Sequence, residues 1–141
     1  MYSLTLALHS LLRWVVLTLG VLAAVRADDK SARWFATSLD VQLLLGLGLY
    51  VVLSPMTAIA FQDFGAAMGN TVLRFWAVEH IAGMIVAMAL AHVGRARIRR
   101  TSDAARRRRL GAIFFGLAVL VLVIAIPWPG TPAARPLFRL P

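Results

Sequence analysis

Apolar and polar positions divide the chain into four long apolar stretches, residues 4–25, 36–53, 71–93 and 110–128, joined by short polar segments. A bilayer core about 30 Å thick is crossed by roughly 20 residues of α-helix, so each stretch is long enough, or nearly so, to span it. Continuous apolar runs, unlike short alternating ones, predict helices over a barrel, because a lipid-facing helix satisfies its own backbone hydrogen bonds. The expected fold is all-α: an up-and-down four-helix transmembrane bundle forming one domain, residues 1–128. Beyond it, residues 129–141 are expected to form an extended Pro-rich tail without a core; five of the six prolines fall after Ile126. Residues 54–70, SPMTAIAFQDFGAAMGN, make the longest outer connection. There Ser-Pro should end the second helix, and the apolar residues beyond should lie along the interface as a short amphipathic turn.

Composition turns this pattern into a class. With 60% hydrophobic residues and a mean hydropathy of +0.79, the chain reads as an integral, multi-pass membrane protein. The absence of cysteine excludes disulfides, iron–sulfur clusters and thiolate metal sites, which leaves histidine to carry any metal. No basic residue precedes the first apolar stretch and no cleavage site stands out after it, so it is expected to be a retained helix.

Charge adds an orientation. The segment GRARIRRTSDAARRRRL, residues 94–110, carries eight arginines and one aspartate, and Arg26, Lys30 and Arg33 flank the first connection. Both loops are therefore expected in the cytoplasm, with both termini and the tail outside, in the periplasm. Arg135 and Arg139 in the tail are a small counter-signal. The net charge of +9 reflects this topology and implies no nucleic-acid partner; the bilayer is the first partner expected.

Ionisable groups inside apolar stretches are costly, and here they cluster. His9 and Arg13 lie four residues apart in the first stretch, and Glu79 and His80 are adjacent in the third. Both helices run inward from the outer face, so His9 and His80 differ in depth by only about 6 Å at 1.5 Å per residue and can face one another. Two imidazoles on facing helices are the axial ligands that a six-coordinate haem requires. Without C-x-x-C-H, covalent attachment is excluded and a single b-type haem is the expected cofactor. Arg13 is placed either to pair with Glu79 or to meet a haem propionate, and Arg74 lies nearer the outer surface, better placed for the propionate. Trp14, Phe75 and Trp76 would supply flat apolar walls. Without a cofactor, the same residues would hold helices together. Asp40 and Gln42 are explained by capping and interhelical bonding. His92, twelve residues beyond His80, faces elsewhere and has no partner histidine at its depth, so a second haem is not expected and an interfacial polar role is.

The strings HSLLRW (residues 9–14), QLLLGLGLY (42–50), LRFWAVEH (73–80), GR (94–95) and IPWP (126–129) resemble a family of small bacterial membrane proteins labelled cytochrome b-like. The likeness runs along nearly the whole chain. It implies a b-type haem, electron transfer and a bacterial inner-membrane location, and marks His9, Arg13, Glu79 and His80. In architecture the chain also resembles four-helix dihaem cytochromes of the b561 type, but it lacks their four suitable histidines.

The expected function is electron transfer through one bis-histidine haem near the periplasmic side, with redox partners or other membrane subunits alongside. The rival expectation is a cofactor-free accessory subunit of a larger membrane complex; a small transporter built on Glu79 and Arg13 fits less well. Independent enzyme activity finds no support in the residues.

Overall fold

The computed structural model describes residues 1–138, so Arg139 and the last residues of the tail lie outside the described residues. Within them the chain is all-helical. Four long helices, α1 (Tyr2–Arg26), α2 (Asp29–Leu53), α5 (Thr71–Arg99) and α6 (Ala104–Ala125), are each long and apolar enough to cross a membrane. Two short ones, α3 (Pro55–Gln62) and α4 (Phe64–Gly69), occupy the segment expected to form a single amphipathic turn.

α1 matches its apolar stretch to within two residues, whereas α2 and α6 start, and α5 ends, between one and two turns beyond theirs. Hydropathy marks the part of a helix that suits hydrocarbon, whereas capping fixes where the helix begins. Asp28 accepts from Ser31 N at 2.9 Å and starts α2 well before Ala36, and Asp103 accepts from Arg106 N at 2.6 Å and starts α6 before Leu110. Ala27 closes the first connection in a left-handed conformation with φ 51°, its N–H donating to Ala23 O at 3.0 Å. At the opposite end Pro127 stops α6 after Ala125.

The helices form a ring in which α1 packs on α2 and α6, while α5 packs on α2 and α6. α1 and α5 are therefore diagonal neighbours across the bundle axis. The core is built from Val16, Phe35, Leu39, Met84, Ile98, Phe115 and Leu122, with alanines such as Ala23, Ala87, Ala91 and Ala118 at the helix contacts. Small residues let membrane helices approach closely, which matters where the surroundings are as apolar as the core. Leu44, Val51, Val52 and Ile124 point outward with 69–77% of their surface exposed, a surface suited to lipid contact.

Polar links gather at the arginine-rich end. Arg95 Nε donates to Asp29 at 2.9 Å and His92 Nε2 meets Asp40 at 2.8 Å, both joining α5 to α2. Asp40 thus serves interhelical bonding as expected, but not capping, because α2 begins eleven residues earlier, at Asp29. At the other end, away from the arginines, the bundle carries α3, α4 and the segment after α6.

Two turns depart from α-helical winding. Leu49–Leu53 at the end of α2 and Phe75–Glu79 within α5 are π-turns, with one extra residue in the turn. Such turns leave carbonyls available to side chains. The Tyr50 hydroxyl donates to Ala77 O at 2.6 Å, and the Thr57 hydroxyl donates to Tyr50 O at 2.7 Å. The two irregular turns are thereby tied to one another.

Candidate functional site

The π-turn in α5 delivers His80 to the bundle axis, where it meets His9 from the diagonal helix. Their ring centroids are 6.3 Å apart with an interplanar angle of 69°. His80 Nδ1 lies 2.8 Å from Ala125 O. A carbonyl only accepts, so Nδ1 carries the proton and Nε2 keeps its lone pair. His9 is held through its backbone, whose carbonyl accepts from Gln42 Nε2 at 3.0 Å. Gly46 lies against the His9 ring: a Cβ there would sit 3.2 Å from Cε1. Gly83 performs the same service for α6, since a Cβ there would come within 2.7 Å of Ala125 Cβ. Two glycines thus let the histidines and their supports close on the axis.

A partly open cavity of about 110 Å³ adjoins the pair, lined among others by Tyr2, His9, Arg13, Trp76, His80 and Arg135, and a smaller one of about 30 Å³ lies against Leu39, Gly46 and Ile81. Among the described residues, the buried polar side-chain atoms without a hydrogen-bond partner are His9 Nδ1, Arg13 Nε and Gln42 Oε1. All three belong to residues lining the larger cavity. Buried polar groups are nearly always paired, so these three atoms leave hydrogen-bonding capacity unused beside the cavity.

The expected site residues are only partly brought together. His9, His80, Arg13 and Trp76 line the cavity. Arg74 and Glu79 do not: Arg74 Nε donates to Glu79 at 2.7 Å and its Nη1 to Met68 O at 3.1 Å. The expected Arg13–Glu79 pair is thus replaced by a pair within α5. The extra residue of the π-turn, Phe75–Glu79, brings positions five apart onto one face, which regular helical spacing does not.

Trp14 is likewise outside the cavity. It stacks on Phe138 with centroids 5.6 Å apart and lies edge-on to Trp128 at 6.2 Å, while its Nε1 donates to Leu137 O at 3.3 Å. The segment after α6 therefore folds back along α1, bringing Arg135 to within 5.1 Å of the Trp76 ring. Arg135 and Tyr2 are cavity residues that the sequence did not single out; the proline-rich surroundings of Arg135 suggested an extended tail. His92 is remote from the site and bound to Asp40, in keeping with an interfacial polar role.

The chemistry open to this site is narrow. Among the described residues no three His, Cys, Asp or Glu side chains converge to hold a metal ion. Two imidazoles alone suit a metal that brings its other ligands with it. No protein-family profile matches the chain, and no curated protein and no solved structure shows significant similarity to it.

Proposed function

We propose that the chain is a membrane-embedded, b-type cytochrome-like electron-transfer protein, with one haem held between His9 and His80 near the periplasmic side of a bacterial inner membrane. The observation that carries this reading is the histidine separation. Histidine nitrogens bind metals at about 2 Å, so a metal held by both residues would need the two rings close together across the bundle. The ring centroids lie 6.3 Å apart, close enough for both residues to reach one metal. The Ala125 carbonyl supports it by fixing the His80 tautomer with Nε2 unprotonated, an outer-shell bond typical of ligating histidines.

Bound there, a b-type haem supplies a one-electron couple whose potential follows its axial ligands and its burial. The chain contributes rigidity, because both ligands project from long helices and His80 is locked to α6. Leu49, Met84 and Leu122 furnish an apolar lining, and Trp76 a flat wall beside the ring of His80, 5.6 Å away. The arginine-rich end faces the cytoplasm in this reading, so the cavity mouth and α3–α4 face outward toward redox partners or companion subunits.

A dithionite-reduced minus oxidised spectrum of the purified protein tests it. A sharp α band lost in both His9→Ala and His80→Ala is expected. Its absence from wild-type protein supplied with haem during expression defeats the proposal and leaves the accessory-subunit reading.

A further inference from the structure

The cavity mouth holds two cations whose counter-charge the described residues do not supply. Arg13 and Arg135 both line it, and no aspartate or glutamate does. Glu79, the acidic residue that the sequence offered as a partner for Arg13, is engaged by Arg74 at 2.7 Å. Arg13 Nη2 donates to Leu137 O at 2.5 Å and lies 3.5 Å from Ser10 Oγ, both neutral acceptors, and Arg13 Nε is buried with no partner among the described residues. Arg135 lies over the Trp76 ring at 5.1 Å, a contact that positions a guanidinium without neutralising it. Both guanidinium groups are partly buried, where an anion is worth more than in water, and they bind carboxylates through paired, charge-assisted hydrogen bonds. The cavity therefore pairs an apolar lining with two guanidinium groups, chemistry that suits a ligand with an apolar body and carboxylates.

We infer that Arg13 and Arg135 form a carboxylate clamp that holds the propionates of the haem, an inference that rests on the bis-histidine reading above. Arg135 replaces Arg74 as the second cation of the site. It is delivered by the segment after α6, which is pinned by Arg135 N donating to Pro127 O at 3.0 Å and by the contacts of Leu137 and Phe138 with α1. The same segment thus closes the cavity and supplies part of its recognition.

The test compares haem b with its dimethyl ester, in which both carboxylates are blocked, by titrating each into apo-protein in detergent and following the α band. Wild-type protein is expected to bind the free acid about 10- to 100-fold more tightly than the ester, the range for a hydrogen bond to a charged group. Arg13→Gln and Arg135→Gln should each narrow that preference, and the double variant should abolish it. The wild-type comparison needs no substitution, and Arg135 lies outside the helices, so the outcome does not depend on a damaged fold. Equal binding of acid and ester, both giving the α band, overturns the clamp while leaving the histidine ligation intact. An undiminished preference in Arg135→Gln removes that residue from the clamp. No α band with either ligand defeats the haem reading itself.

Discussion

Gly83→Ala perturbs the histidine pair without touching it. Gly83 packs on α6 so closely that a Cβ would lie 2.7 Å from Ala125 Cβ. Carbon atoms rest at about 3.5–4.0 Å, so the added methyl group requires a displacement of about 0.8–1.3 Å between α5 and the end of α6. The carbonyl that orients His80 belongs to the same Ala125, now 2.8 Å from Nδ1. Moved outward by that amount, it passes beyond hydrogen-bond range, about 3.5 Å. Loss of such an outer-shell bond weakens metal ligation about 10- to 100-fold. Overpacking itself costs about 1–3 kcal/mol, offset by about 1 kcal/mol from replacing a helical glycine. Gly116→Ala on α6 is the control, because a Cβ there meets nothing within 4 Å. Haem titration and thermal unfolding of apo-protein in detergent should therefore separate the two variants, with Gly83→Ala weaker in both. Indistinguishable behaviour would refute the claim that this close approach sets the His80 support.

Other consequences are equally direct. Gly46→Leu should place a side chain against the His9 ring, 3.2 Å from where its Cβ begins, and abolish the α band while circular dichroism still reports the helices. Tyr50→Phe leaves Ala77 O without its 2.6 Å donor and should cost about 1–3 kcal/mol in unfolding free energy; an unchanged melt would mean that the two π-turns are not coupled through it. Asp28→Ala removes a helix cap and should cost about 0.5–2 kcal/mol. The Asp28 carboxyl is held below its ordinary range by hydrogen bonds from the Ser31 side chain and backbone. That contribution is full above the unfolded value of 3.8 and is lost as pH falls through the lower folded value, so the cost of Asp28→Ala should vanish in strong acid.

Much of the fold was legible because hydropathy reports directly on what a helix will face. The four long helices follow from it, and the His9–His80 meeting follows from matched depth on diagonal helices. Helix ends were less legible, because caps such as Asp28 and Asp103 sit in polar sequence where hydropathy is silent. The Arg74–Glu79 pair was hidden for a different reason. A π-turn has no reliable sequence signature, so spacing at 3.6 residues per turn pointed Glu79 toward α1 instead of back along α5. Arg135 was missed because a run of prolines says that a segment is not helical, but not where it lies.

Tyr2 and Pro136 line the same cavity, which bears on when the site comes into being. Translation at about 5–20 residues per second separates those two positions by roughly 7–27 s. During that interval His9 is already in a helix, yet neither Ala125 nor Arg135 exists to complete its surroundings. The nascent chain can therefore present no finished pocket until α6 has formed and the following segment has folded back against α1. Any ligand of the cavity thereby meets both histidines and Arg135 together, never a half-built site with one histidine.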